Sequence, residues 1–188
     1  MAEYDKIAKE YSEAGERVPL KEYATTPTLF KLLGDIKGKD ILDLACGLNP
    51  LAQKYIGTKL EYNASDISEK DVEFLKEAYK TFGFKGDIFR ADLSEEEEHK
   101  KLEKYNTDWC LLLKALDPIE ETNEDISYKL IPSIKSKWII VSFPTLTVSR
   151  KNMRNPRRNW FEKVITRLDK TFEIFEIENE LFYIIKNK

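Results

Sequence analysis

The sequence predicts an α/β fold: a doubly wound sheet of parallel strands that closes in an antiparallel hairpin. Three observations carry this. Short apolar runs alternate with amphipathic stretches along most of the 188 residues. Three successive apolar runs end in an acid, at Asp43, Asp66 and Asp92. The last two apolar runs, 171–178 and 180–185, meet at Asn179, a joint short enough for a hairpin.

The elements follow in order. Residues 2–13 place Tyr4, Ile7, Ala8 and Tyr11 on one helical face. Thr26-Pro27 starts a second helix, with Leu29, Phe30, Leu32 and Leu33 behind it. Lys37-Gly38-Lys39 turns into the first strand, 40–44, and a short helix runs from Pro50 to about Tyr55. The second strand is 60–65 and ends at Asp66. Ser68 caps a helix over 69–82, with Glu69 and Asp71 favourably placed in its first turn. The third strand is 86–91, ending at Asp92, and the acidic block 95–98 opens another helix. Residues 109–113 form an all-apolar fourth strand, as expected where both faces of a sheet are covered. A helix follows Asp117-Pro118 to about Leu130. The fifth strand is 138–143, a basic loop spans 144–158, and 160–168 is helical.

Composition limits the class. A 41% hydrophobic and 12% aromatic content supports one domain with a real core. No apolar run is long enough to span a membrane. The N-terminus lacks both a basic start and an apolar core, so no signal peptide is expected. Cys46 and Cys110 are far apart in apolar surroundings, which fits a reducing cytoplasm. One histidine and two separated cysteines argue against a zinc site, and no metal is expected. His99 lies in a Glu/Lys-rich stretch and reads as part of a solvated face. Net charge is -3, but residues 126–161 hold eight Lys or Arg and no acid. An acidic body with one basic segment suggests a local anionic partner.

The loop after the first strand carries the chemistry. Asp43-Leu44-Ala45-Cys46-Gly47-Leu48-Asn49-Pro50 reads as a strand end, a tight turn and a helix start. Gly47 permits a positive φ and close backbone approach. Doubly wound folds hold nucleoside cofactors at such strand ends, and here the pattern points to S-adenosylmethionine rather than a dinucleotide. Asp43 shapes the loop and reaches the methionine ammonium through water. Asp66, with Ile67 beside it, accepts the ribose hydroxyls, and Asp92 with the Leu93 backbone reads an adenine edge. Strand-ending Asp residues also occur simply because turns favour them. Cys46 has no basic neighbour that would make a thiolate reactive and reads as a small loop residue.

Three segments then resemble, in order, the aminoglycoside-resistance 16S ribosomal RNA methyltransferases (the Arm/Rmt family). DLACGLNPLA, Asp43 to Ala52, is similar to that family's cofactor loop. DWCLLLKALDPIE, Asp108 to Glu120, resembles its fourth-strand segment, and IVSFPT, Ile140 to Thr145, its fifth-strand motif. The order of elements also matches the Rossmann-like class I methyltransferase sheet, with its last strand inserted antiparallel. The resemblance implies a single methyltransferase domain over 1–188, with 1–36 a short helical N-terminal extension and 37–188 the cofactor-binding core. It implies S-adenosylmethionine as cofactor, held by Asp43, Ala45, Cys46, Gly47, Asn49, Pro50, Asp66, Ile67, Asp92, Leu93, Leu113 and Lys114.

It also implies an RNA substrate, ribosomal RNA in particular, methylated at guanine N7. That atom has an available lone pair, so its methylation needs orientation more than a strong base, and the chain offers no evident base. Ser142, Phe143, Pro144 and Thr145 would form the lip near the target. Phe143 either stacks on a base or finishes a strand in the core. Arg150, Lys151, Arg154, Arg157 and Arg158 either hold RNA phosphates or form a solvated connection. Ala45 stands where the family loop commonly has Gly. Two other readings remain open at this point. One keeps the cofactor but takes a small-molecule acceptor, with Tyr4, Tyr11, Arg17 and Tyr23 facing the pocket. The other is a non-catalytic subunit that binds RNA or a protein partner.

Overall fold

The computed structural model describes residues 38–53, 60–147, 149, 151–177 and 179–187, all within one compact unit, Lys37–Lys188. The expected helices over 2–13 and after Thr26-Pro27 lie outside the described residues. So do Tyr4, Tyr11, Arg17, Tyr23 and Arg150, and the part of the short helix beyond Gln53.

Seven strands form one sheet: β1 (Asp40–Leu44), β2 (Glu61–Asp66), β3 (Ile88–Arg90), β4 (Trp109–Leu113), β5 (Trp138–Pro144), β6 (Thr171–Ile177) and β7 (Glu180–Lys186). Their spatial order is β3-β2-β1-β4-β5-β7-β6. β1 to β5 are mutually parallel, and β7 runs antiparallel between β5 and β6. The strand order reverses between β1 and β4. Ligands bind at such a reversal in open α/β sheets, outside the carboxyl ends of the strands.

β1, β4 and β5 are central. Ile41, Leu42 and Leu44 of β1 and the interior residues of β4 and β5 are fully buried, while Trp109, Leu113, Trp138 and Pro144 at the strand ends are part-buried. Alternation assigns the faces. Leu42 and Leu44 join Cys110, Leu112, Ile139, Val141 and Phe143 in the main core cluster. Ile41 and Asp43 therefore point to the opposite face, where Asp43 is the buried carboxyl of a strand whose other acid, Asp40, is exposed at its start.

The helices are α1 (Glu69–Phe82), α2 (Leu116–Thr122), α3 (Ile126–Ser133) and α4 (Asn159–Arg167). Ser68 Oγ accepts from Asp71 N at 3.3 Å and caps α1, while Gly83 at φ +67° ends it. Val72, Leu75, Ala78 and Tyr79 form its buried stripe.

Three expectations need correction. The single helix over 117–130 is two. Asn123 is extended, Asp125 takes φ +64°, and Glu120 turns back to accept from Asp125 N at 2.7 Å and Ser127 N at 3.1 Å. That side-chain cap satisfies N–H groups that a continuous helix would have paired. The acidic block forms only a 3-10 segment, Glu96–Lys101. The third strand starts two residues late, because Gly86 sits at φ +130° with room for nothing larger. A Cβ there would lie 2.1 Å from the Tyr62 carbonyl oxygen.

Candidate functional site

The loop leaving β1 turns sharply. Ala45 and Gly47 both take the left-handed conformation, at φ +53° and +50°. Cys46 N donates to Ser65 O at 3.0 Å, and Asn49 N donates to Cys46 O at 3.0 Å. Asn49–Ala52 then forms a 3-10 turn with Pro50 at its start. Gly47 takes its φ without steric cost. Ala45 adopts the same region at a cost of about 1 kcal/mol that glycine would not incur.

Asp43 lies beneath this loop and is fully buried. The Tyr62 hydroxyl donates to its Oδ2 at 2.8 Å. The Tyr79 hydroxyl donates to Tyr62 O at 2.9 Å, and Gln53 Nε2 donates to Tyr79 Oη at 2.6 Å. A polar chain thus runs from α1 and the 3-10 turn to the end of β1. Asp43 Oδ1 has no hydrogen-bond partner among the described residues. Burial raises the Asp43 carboxyl to about 7, against the lowering effect of Tyr62 and Asn49. Ser65 Oγ, at the end of β2, is likewise buried without a partner. Orphaned buried polar atoms at a sheet's ligand edge fit a polar ligand.

Asp66 ends β2 and is half-buried. Its Oδ2 accepts from Gly47 N at 2.8 Å and its Oδ1 from Ser68 N at 2.9 Å. The carboxylate therefore joins the Gly47 loop to the start of α1, and each oxygen keeps a lone pair for another donor. Ile67 beside it is 55% exposed, unusual for so large an apolar side chain. Asp92 folds its own turn, with Oδ1 accepting from Ser94 N at 3.0 Å and Ser94 Oγ at 2.6 Å. That turn is held from outside. Asn123 Nδ2 donates to Ser94 O at 2.8 Å, and His99 Nε2 lies 2.9 Å from Leu93 O. His99 is thus a buried residue, contrary to the solvated face expected for it. In a 3-10 segment the helical period that would assign its face does not apply.

Leu113 ends β4, and Lys114 follows at φ +56°. Lys114 N donates to Ser142 O at 3.0 Å and lies 3.2 Å from Ser142 Oγ. Its Nζ is 2.8 Å from Glu180 Oε2. The structure thus gathers Asp43, the 45–50 loop, Asp66, Asp92, Leu113 and Lys114 at the carboxyl ends of adjacent parallel strands.

The expected lip fares differently. Phe143 is fully buried, with edge contacts to Trp160, Phe161 and Tyr183. It is a core residue and does not present a face to a base. Ser142 is buried too, and Thr145 nearly so; Pro144 is the half-exposed member. Arg158 also departs from the expectation of phosphate binding. Its guanidinium bonds Asp117 through Nε at 3.0 Å and Nη2 at 2.8 Å, and donates to Pro144 O and Pro156 O. It is a brace between α2 and the basic segment. Arg157 pairs with Glu162 through two contacts, at 2.8 and 2.7 Å. Lys151 and Arg154 are exposed and form no ion pair with another described residue. Glu180 was not singled out in the sequence, because an acid beside a hairpin joint reads as solvated.

Among the described residues no helix is long and apolar enough to cross a membrane. No group of three or more His, Cys, Asp or Glu residues among them is arranged to hold a metal.

The profile of the family described as ribosomal RNA methyltransferase (FmrO) matches residues 7–184. A 16S rRNA (guanine(1405)-N(7))-methyltransferase from Frankia casuarinae is 32% identical over 150 residues, 78% of this chain and 51% of that protein. Its counterpart from Micromonospora rosea is 33% identical over 147 residues, 76% of this chain and 52% of that protein. The chain thus spans about half the length of the curated relatives it matches. The solved structure of the 16S rRNA methylase ArmA is similar at a TM-score of 0.70 and 25% identity, over 98% of this chain and 97% of that one. RmtB shares the fold at a TM-score of 0.72 and 22% identity, over 100% of this chain and 76% of that one. This chain belongs to the ribosomal RNA methyltransferase (FmrO) family.

Proposed function

We propose that this chain is an S-adenosylmethionine-dependent methyltransferase acting on N7 of a guanine in 16S ribosomal RNA. The observation that carries the reading is the orphaned Asp43 Oδ1, buried under a left-handed loop at the point where strand order reverses. It lies in a chain whose curated relatives are described as 16S rRNA guanine-N7 methyltransferases. When bound, the cofactor supplies a methyl group on a positively charged sulfur.

The chain's own residues divide the work. Ala45, Cys46, Gly47, Asn49 and Pro50 form the loop that wraps the cofactor, and Asp43 below it attracts the cationic methionine end. Asp66 accepts ribose hydroxyls while Ile67 packs on the base. Asp92 and Leu93 meet the adenine edge, and Leu113 with the Lys114 backbone borders the methyl group. Guanine N7 brings its own lone pair and loses no proton, so the site needs to orient and desolvate rather than deprotonate. Buried Phe143 and the part-buried Arg158 support this as rigid structure behind the site. Lys151 and Arg154, with Arg150, are assigned to RNA phosphates. The setting is cytoplasmic, where the small ribosomal subunit is the partner, and a protein partner completes the RNA surface if the chain alone binds RNA weakly.

Calorimetric titration with S-adenosylmethionine and S-adenosylhomocysteine tests the cofactor half of this reading. Micromolar or tighter binding is expected. Absence of binding to either would favour a non-catalytic subunit.

A further inference from the structure

Glu180 opens β7 and is 6% exposed. Its register partner is Pro144 at the end of β5, so it stands at the same edge of the sheet as the candidate site. Both its carboxylate oxygens are engaged. Oε1 accepts from Ser142 Oγ, and Oε2 lies 2.8 Å from Lys114 Nζ. The Lys114 side chain is 49% exposed, whereas that of Glu180 is 8% exposed. The ammonium is therefore anchored from behind by a buried carboxylate and open in front.

The backbone at Lys114 is fixed as firmly as its side chain. Its N–H bonds to Ser142 O, and φ +56° places it in a region that non-glycine residues enter at a cost. Strain of this kind persists where surroundings hold it in place, and it clusters at ligand sites. Ser142 ties the two together, since its carbonyl and hydroxyl meet Lys114 N while its hydroxyl also donates to Glu180.

An ammonium carries three N–H donors and no acceptor, and Glu180 takes one of them. Guanine presents O6 and N7 side by side as acceptors. Adenine presents an N6 amino donor where guanine has O6. A lysine donor beside the transfer site thus accepts guanine and rejects adenine, and it leaves the N7 lone pair for the methyl group. Methylation also leaves the base positively charged. A bare ammonium would oppose that charge, and the Glu180 carboxylate offsets it.

We propose that Lys114, held by Glu180 and Ser142, donates to O6 of the target base and selects guanine over adenine, with Glu180 as the positioning residue. The proposal rests on the guanine-N7 reading above.

The test is steady-state transfer of labelled methyl from S-adenosylmethionine into small ribosomal subunits by the full chain. Subunits carry either guanine or adenine at the mapped position. The enzymes are wild type, Lys114→Met, Glu180→Gln and the double variant, each checked for folding by thermal melting and for S-adenosylhomocysteine affinity by calorimetry. Lys114→Met should lower kcat/KM on guanine by roughly tenfold or more and shrink the guanine-to-adenine ratio by a similar factor. Glu180→Gln should do the same alone and add nothing in the Lys114→Met background, with cofactor affinity unchanged. If Glu180→Gln fails to fold, the base ratio of the exposed Lys114→Met variant decides. An unaltered ratio in Lys114→Met, or additive losses in the double variant, overturns the proposal while leaving the function intact. A wild-type label on any atom other than guanine N7 overturns both.

Discussion

The Tyr62 hydroxyl donates to one oxygen of Asp43 at 2.8 Å, and the other oxygen of that buried carboxyl has no described partner. Tyr62 sits one strand away on β2, and Tyr79 on α1 braces it. One oxygen of this carboxyl is satisfied by Tyr62, and the other meets no donor at bonding distance among the described residues, although the Asn49 side chain also favours the charged form. Leaving a buried polar atom unpaired costs about 1–3 kcal/mol, which a cationic ligand would recover.

Asp43 therefore predicts a pH dependence. Burial raises its carboxyl from 3.8 to about 7. Without ligand, its contribution to stability is fully present below pH 4 and is lost as pH rises toward 7, because the folded state binds the proton more tightly. Binding a cationic cofactor reverses the preference and expels the proton. Affinity for S-adenosylmethionine should rise roughly tenfold between pH 6 and pH 8, with proton release measured by calorimetry in buffers of different ionisation enthalpy. Asp43→Asn should bind more weakly and without that slope. An equal slope in the variant would place the titrating group elsewhere.

Asp66 holds Gly47 N and Ser68 N in the fold and is proposed to accept ribose hydroxyls, and two substitutions separate the two roles. Asp66→Ala removes the acceptors for Gly47 N and Ser68 N as well as any ribose contact. It should weaken cofactor binding by about 1.5–3 kcal/mol and also lower the melting temperature. Asp66→Asn keeps one acceptor oxygen, so it should retain more of the stability than of the affinity. Equal affinity in wild type and both variants would move the ribose contact away from β2.

The arginines of the basic segment should part company. Arg158→Ala leaves Asp117 without its bidentate partner and should cost about 1.5–3 kcal/mol, seen as a drop of several degrees in Tm. Arg154→Ala should leave Tm unchanged and weaken RNA binding with a reduced salt dependence. A stable Arg158→Ala variant that loses only RNA affinity would return that residue to the phosphate-binding set.

Ala45 offers a gain rather than a loss. Its φ of +53° suits glycine. Ala45→Gly relieves about 1 kcal/mol of strain and loses part of it to unfolded-chain entropy. The net result is a melting temperature equal to or slightly above that of the parent, read by calorimetric unfolding. A clear fall would mean that the Ala45 methyl packs usefully against the core.

Much of this was legible in the sequence, and the exceptions share a cause. β4 begins and ends where its apolar run does, since a buried parallel strand leaves an unbroken apolar signature, and β1 spans the expected 40–44 although Asp40 and Asp43 interrupt its apolar residues. The start of α1 was equally clear, because Ser68 is a strong cap signal, and the structure shows Gly83 closing it in the left-handed conformation. Asp43, Asp66 and Asp92 come together because strand ends converge in this topology. What the sequence hid depends on contacts between distant residues. Glu180 lies 38 residues from Ser142, and Arg158 lies 41 from Asp117. Neither pairing leaves a local pattern. His99 was hidden by its own neighbours, whose charges suggest solvent although its ring turns inward to Leu93 O.

The most direct measurement maps the methyl group. Small ribosomal subunits are incubated with the full chain and labelled S-adenosylmethionine. Their 16S rRNA is then reduced with borohydride and cleaved with aniline, which breaks the chain at N7-methylguanine. One new enzyme-dependent cleavage carrying the label is the predicted result. Label in the RNA without such cleavage, or no label in RNA at all, would contradict the account.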